Sequence, residues 1–363
     1  MPPIKQLAMG TMRISSASAS GRNEVAPPGT AGSPGVVRTV SAFEVYGEAE
    51  ERRLRKSLSQ FGGEAAERIG RVVSAVPRGP LVRPVAPVPA DSMLDTLEQC
   101  FPNFAEAVEL IRCACALCTP ETGFRLAPTV LDGPPGVGKT AFARALGRLL
   151  LAPPIMLNMA SATAGFTLGG LDLRWSTGAP GTIFQTLVLA EAGLPANRLI
   201  VLDELDKAGT DPRGNPLGPL YALLEPSTAK QFRDEAIDLP IDASALLWLA
   251  TSNRADDIPP ALRSRLEVVR VTMPNAAQKP AAVRSAWIDM RQQEACWGYR
   301  FPESLEEGVV ERVCKLASVR EMCKVMRRAA GHAAKAGRTQ IVPGDVDKAV
   351  NCSSIALPRL GFV

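Results

Sequence analysis

The chain has 363 residues, 46% hydrophobic and 21% charged, which leaves room for two or three domains with a sizeable core. A net charge of +4 is too small to require a nucleic acid, though it leaves one open as a partner. No apolar run approaches the length that spans a bilayer and no compact apolar leader opens the chain, so the expectation is a cytoplasmic protein with no membrane partner.

Residues 1–42 are rich in Ser, Ala, Gly and Pro without hydrophobic periodicity, and are expected to form a disordered tail. Their Arg and Ser content, with no acid before Glu24, gives an organelle transit peptide as the rival reading. Residues 43–76 carry the charged run Glu48 to Lys56 and then Leu58, Phe61, Ile69 and Val72-Val73, the pattern of one or two amphipathic helices broken at Gly62-Gly63. The mixed charges read as a solvated face. Residues 77–91, with five prolines between Pro77 and Ala90, read as a semi-rigid linker.

The organised body begins near Ser92. Phe104 to Leu117 is helical in pattern, and within it and just beyond lies the tightest group among the eight cysteines, Cys113, Cys115 and Cys118. Helical residues two apart point to different faces, so these thiols are read as free and packed rather than as ligands of one ion. The single histidine, His332, stands among alanines and argues against His-based triads and His-rich metal sites.

Gly133-Pro134-Pro135-Gly136-Val137-Gly138-Lys139-Thr140 fits G-x-x-x-x-G-K-[ST] at every fixed position. A short apolar run ending at Leu131 precedes it, and the helix-favouring Ala141 to Leu146 follows. This strand, loop and helix would turn successive N–H groups inward and add a helix N-terminus, a cradle for a polyphosphate. Lys139 would reach the β- and γ-phosphates, and the Thr140 hydroxyl would bind Mg²⁺. ATP and Mg²⁺ are therefore the expected cofactors.

Strands and helices alternate as far as Pro274, the pattern of a parallel sheet sandwiched by helices in an α/β domain over 92–273. Ile155 to Met159 is one strand candidate. Leu199 to Leu202 runs into Asp203-Glu204, and Ala245 to Ala250 runs into Thr251-Ser252-Asn253. Polar residues are thus delivered to the carboxyl ends of strands, where open α/β sheets bind ligands. Asp203 would hold the metal through its water shell and Glu204 would polarise the attacking water, whereas the structural alternative is an acidic helix start at Leu205-Asp206-Lys207. Asn253 could orient the same water or serve as turn chemistry where the strand meets its loop, and Arg265 and Arg320 are cations near the ends of a strand and helix unit that alone fit a structural role as well as charge stabilisation at a γ-phosphate. Beyond Pro274 the chain turns helical over Ala282–Glu294, Glu306–Ala317 and Val319–Lys335, with a short segment near Asp345 to Val350, giving a small all-α domain over 274–353 and a terminal tail, 354–363.

Residues from about 93 to 353 resemble the AAA+ ATPase module of the Lon protease family. The carriers, in family order, are G-P-P-G-V-G-K-T, L-D-E-L-D-K, T-D-P-R-G-N-P, Q-F-R-D, T-S-N, I-P-P-A-L-R-S-R-L-E-V-V and A-S-V-R-E. The resemblance implies a P-loop NTPase fold with a helical lid. Gly133 to Thr140 take the Walker A position and Asp203-Glu204 the Walker B position. Asn253 corresponds to sensor 1, Arg265 to an arginine finger acting on the neighbouring subunit and Arg320 to sensor 2, while Arg263 fits the finger less well.

The resemblance further implies a homo-oligomeric ring, usually a hexamer, that hydrolyses ATP between subunits to remodel a protein partner. In the family a channel loop with an aromatic, an aliphatic residue and glycine grips polypeptide. Trp175 falls at the aromatic position, but Ser176 and Thr177 replace the two that follow. The sequence ends at Val363, where a Lon protein continues into its Ser-Lys protease domain, so the expectation is an ATPase without proteolysis. The rivals are a DNA-associated loader or helper ATPase, motivated by Arg52-Arg53-Leu54-Arg55-Lys56, and a scaffold that binds ATP without cleaving it.

Overall fold

The computed structural model describes residues 42–354 apart from 61, 120, 151, 162–164 and 210–214. Most of both expected tails, together with residues 210–214 of the T-D-P-R-G-N-P segment, lies outside the described residues.

The described chain opens with strand β1 (Ala42–Tyr46), helices α1 (Glu48–Ser57) and α2 (Gly63–Ala75) and strand β2 (Leu81–Pro84). β1 and β2 pair antiparallel, Phe43 opposite Arg83. The expected helix pair with its break at Gly62-Gly63 is present as α1 and α2, whereas the surroundings are corrected: a strand precedes α1, and the Pro-rich stretch supplies that strand's partner. Proline at the end of an edge strand removes no ladder donor, which is why this composition and a strand are compatible.

Packing makes the segment part of the body. Val45, Tyr46, Leu54, Ile69, Val73 and Val76 are buried in the same apolar cluster as Ile200, Leu202 and Trp248. Arg83 is 3% exposed, and its guanidinium donates to the carbonyls of Glu191 at 2.9 Å and Ala190 at 2.8 Å, as well as to Leu187, Val188 and Leu194. The carbonyls of Leu187, Val188 and Ala190 end the helical turn Gln185–Leu189, so a buried cation caps a helix C-terminus.

Helices α3 (Asp91–Cys100) and α4 (Ala105–Leu117) lead into β3 (Thr129–Asp132), helix α5 (Lys139–Leu149) and β4 (Ile155–Asn158). Then come β5 (Leu199–Asp203), a small hairpin of β6 (Phe232–Arg233) and β7 (Pro240–Ile241), β8 (Leu247–Ser252) and β9 (Glu267–Arg270). Five strands form a parallel sheet in the order β4-β5-β8-β3-β9. Its inner strands β5, β8 and β3 are apolar on both faces because both are covered, whereas the edge strand β9 is largely exposed. Leu199, Val201, Leu247 and Leu249 face α3, α4 and α5, whereas Ile200, Leu202, Trp248 and Ala250 face the layer that holds the N-terminal segment.

Helices Lys279–Gln293, Glu307–Val313, Val319–Lys335 and Pro343–Ser354 follow. They share a core of their own around Trp287, with Trp297 and Phe301 against it at centroid distances of 6.2 and 6.1 Å. Arg148 of α5 reaches this unit through Asp289 at 2.7 Å.

A buried carboxyl joins the β6–β7 hairpin to the loop that precedes Thr182. Asp234 is 3% exposed, and its oxygens accept from the backbone N–H groups of Gly181 at 2.8 Å and Ala236 at 2.9 Å. Burial pushes its pKa up to about 6 from the ordinary 3.8, against the pull of those two donors. A carboxyl that holds its proton more tightly in the folded chain adds stability that is complete below its unfolded pKa and is lost as pH rises through about 6. Between about pH 4 and 6 the thermal midpoint should therefore drop further with rising pH in the wild type than in Asp234→Asn; parallel profiles in a fluorescence melt would contradict this.

Candidate functional site

β3, β5 and β8 are adjacent and parallel, so their carboxyl ends deliver Asp132, Asp203 and Thr251-Ser252-Asn253 to one edge of the sheet. The Gly133–Thr140 loop leaves β3 at this edge and enters α5. Gly133 is fixed by close approach, because a Cβ there would meet the Val271 carbonyl oxygen at 2.0 Å. Gly136 turns the chain at φ +80°, a left-handed conformation that favours glycine.

Lys139 is 8% exposed, and its ammonium donates to the carbonyls of Gly133 at 2.6 Å and Pro134 at 3.1 Å and to Asn253 Oδ1 at 3.2 Å. Burial pulls its pKa down, the neighbouring Asp132, Asp206 and Asp203 pull it up, and Arg320 adds to the lowering. The Thr140 hydroxyl lies 3.2 and 3.4 Å from the two Asp203 oxygens. A hydroxyl beside a carboxylate is a pair of hard oxygen donors, the chemistry magnesium takes.

Thr251 completes this arrangement. Its hydroxyl donates to Asp203 Oδ1 at 2.6 Å and accepts from the Glu204 backbone N–H at 3.0 Å, while the residue is 2% exposed. Glu204 has φ +58° and is the one non-glycine among the described residues with positive φ, a strained conformation that aims its side chain off the strand. Its carboxylate pairs with Lys207 at 2.6 Å. Both side chains are partly exposed, so the pair is weak and readily exchanged. The Asn253 backbone N–H donates to Asp206 Oδ2 at 3.1 Å.

Lys139, Thr140, Asp203, Glu204 and Asn253 are thus brought together by direct contacts or shared partners. Arg320 joins them from the helical domain: its backbone N–H donates to the Gly136 carbonyl at 3.3 Å, with its side chain exposed. Arg265 is placed otherwise. Its guanidinium donates to the Ala261 carbonyl and lies 5.8 Å from the centre of the Tyr221 ring, contacts that do not involve the phosphate loop. Arg263 pairs with Asp256. Trp175 is remote from the cradle, 67% exposed in the turn between Leu171 and Ala179.

Sequence reasoning passed over Thr251 and Asp206, although both stand inside segments it singled out, T-S-N and L-D-E-L-D-K. It also missed a narrow, mostly apolar crevice where Phe101, Asn103, Val137 and Gly138 face Ala282 and Val319 of the helical domain. No local pattern marks such a crevice, because its two walls are far apart in the chain.

Residues 129–273 match the family model described as "ATPase family associated with various cellular activities (AAA)". The Lon protease of Treponema pallidum is 30% identical over 185 residues, covering 51% of this chain and 19% of that protein. The Lon protease of Chloroflexus aurantiacus is 38% identical over 140 residues, covering 39% and 17%. The human mitochondrial Lon protease homolog is 31% identical over 200 residues, covering 54% and 20%. The chain therefore spans about a fifth of the length of the curated relatives it matches. Among solved structures, the Thermotoga maritima RuvB Holliday junction branch migration motor aligns with a TM-score of 0.42 at 14% identity, over 74% of this chain and 71% of that one.

Replacing Thr251 by Val keeps its shape and removes both hydrogen bonds, leaving the Glu204 backbone N–H short of a partner and Asp203 Oδ1 reliant on its longer contact with the Thr140 hydroxyl. The loss should cost about 2 kcal/mol of stability. Thr251→Ser should recover most of it; equal denaturation midpoints for the Val variant and the wild type would show that the hydroxyl does not hold the two acids.

Proposed function

We propose, on the premise that this chain carries an AAA+ ATPase module of the Lon type, that it hydrolyses ATP at the interfaces of a homo-oligomeric ring and couples the reaction to remodelling of a protein partner. The convergence of Lys139, the Thr140–Asp203–Thr251 contacts and Glu204 on one sheet edge carries this reading.

In it, the N–H groups of Gly133 to Thr140 and the Lys139 ammonium hold the phosphates, Lys139 exchanging its carbonyl partners for phosphate oxygens. Thr140 directly and Asp203 through water would hold Mg²⁺, which when bound neutralises charge on the β- and γ-phosphate oxygens. Glu204 leaves Lys207, orients a water molecule and takes its proton as the oxygen bonds to the γ-phosphorus and the bond to the ADP oxygen breaks. The Asn253 amide orients the same water. Arg320 answers to nucleotide from the helical domain, where its backbone already rests on the phosphate loop.

Arg265 has the role that requires a second copy. Its distance in contact terms from its own phosphate loop fits a guanidinium offered to the neighbour's γ-phosphate, where an arginine supplied in trans is worth several powers of ten. A hexamer is the ring size this reading favours. Trp175, at a turn with two-thirds of its surface exposed, suits contact with unfolded polypeptide. In the basic run that motivates the rival DNA reading, Arg52 pairs with Glu48 and Arg55 with Glu51, which lowers the net positive charge of that run.

Glu204→Gln should retain ATP binding and lower turnover by about 10² or more. Arg265→Ala should lower it by about 10³ and be rescued in mixed rings by subunits that are Glu204→Gln but keep the arginine. Phosphate release assays on the two variants alone and mixed test both claims; full activity of Glu204→Gln, or no rescue on mixing, would refute the respective role.

A further inference from the structure

The charged N-terminal segment has no part in the ATPase reading, yet it reaches the loop that carries Trp175. Arg68 of α2 donates through Nε to the Leu173 carbonyl at 3.0 Å and through Nη2 to the Arg174 carbonyl at 3.2 Å. Its guanidinium also meets Glu64, one turn earlier on the same helix, at 3.5 Å. Leu173 is 2% exposed and packs in the cluster that contains Ile69 and Val73 of α2. The two residues immediately before Trp175 are thus tied to α2 by a two-pronged guanidinium, and the first of them is buried in a core to which α2 also contributes.

The turn itself is closed locally. Leu171 and Ala179 exchange backbone hydrogen bonds at 2.9 and 3.0 Å, the Trp175 N–H donates to Asp172 at 3.0 Å, and the Gly178 N–H donates to Trp175 at 3.0 Å. Asp172 accepts from the Arg174 N–H at 2.8 Å and pairs with its guanidinium. On the far side Asp234 holds the Gly181 N–H. A turn so closed moves as a unit, and its mobile bonds are those to its supports. Loops that do work on ligands are usually drawn from the least stable parts of a fold. This one is tied to the body instead.

We propose that Arg68 is a positioning residue that braces the Trp175 turn against α2, so that residues 42–86 set how the loop is offered to polypeptide. The proposal rests on the reading of Trp175 as the polypeptide contact. Two independent observations support it: the paired carbonyl contacts of Arg68, and the burial of Leu173 in the apolar cluster that also takes in Ile69 and Val73 of α2. An arginine is suited to the task because its planar fork reaches two successive carbonyls at once, whereas a lysine ammonium reaches one well.

The test uses the full chain with Arg68→Ala, Arg68→Lys and Trp175→Ala, and β-casein as the unfolded polypeptide. ATPase is measured with and without casein, and chymotryptic cleavage after Trp175 is timed in the same preparations. Arg68→Ala should keep basal ATPase and the wild-type thermal midpoint to within a few degrees, raise the casein concentration for half-stimulation about tenfold, and speed cleavage after Trp175; two lost hydrogen bonds support a factor of that order. Arg68→Lys should fall between. Wild-type stimulation in Arg68→Ala beside its loss in Trp175→Ala would overturn the brace and leave the grip reading standing. Stimulation that survives Trp175→Ala would refute the grip reading, and cleavage then decides the brace alone. Cleavage unchanged in Arg68→Ala overturns the brace whatever the ATPase shows.

Discussion

The parallel pairing of β8 with β5 on one side and β3 on the other is the constraint from which the site follows. Neighbouring strands lie about 4.8 Å apart, so three carboxyl ends must open within side-chain reach of one another. Asp132, Asp203 and Thr251 are therefore neighbours although they come from three separate stretches of chain. Asp132 uses the nearness to bind β8's exit, accepting from the Ser252 hydroxyl at 2.7 Å and the Ala255 N–H at 2.8 Å. Once the sheet is formed, the polar residues at its edge have few other partners.

Within that edge, strain and charge are balanced by neighbours. Glu204 occupies a left-handed backbone conformation whose cost is on the order of 1–3 kcal/mol, and the Thr251 hydroxyl that accepts its N–H also steadies Asp203. One side chain thereby sets both members of the acidic pair. Lys139 is buried against the Gly133 and Pro134 carbonyls and Asn253, and the nearby Asp132, Asp206 and Asp203 offset part of the lowering of its pKa that burial causes. The helical domain touches this edge through Arg320 and Gly136, which gives the phosphate loop a structural link to a unit with a separate core.

The N-terminal segment shows how composition can mislead. The charge pattern gave the helix pair, α1 and α2, but the prolines suggested a linker, whereas Arg83 lies buried among carbonyls and Asn197 binds Ala86 through both its N–H and its carbonyl. The reason is that a two-stranded ribbon needs only one paired edge, and that a guanidinium can satisfy several helix-end carbonyls at once. Neither requirement leaves a periodic signature. Arg68, on the same segment, likewise gains its meaning only from the turn it reaches.

What the sequence determined by itself is local. The phosphate loop, the strands ending in Asp203-Glu204 and Thr251 to Asn253, and the helix over Val319–Lys335 could be read because each depends on residues adjacent in the chain or one turn apart. Tertiary structure decided the rest: that Thr251 bridges two acids 47 and 48 positions away, that Phe101 and Val319 line one crevice, that Leu81–Pro84 is a strand, and that the Arg265 guanidinium meets Ala261 and Tyr221. Hydrogen bonds and burial between distant segments are fixed by strand order and packing, and neither is encoded in the spacing of any one stretch.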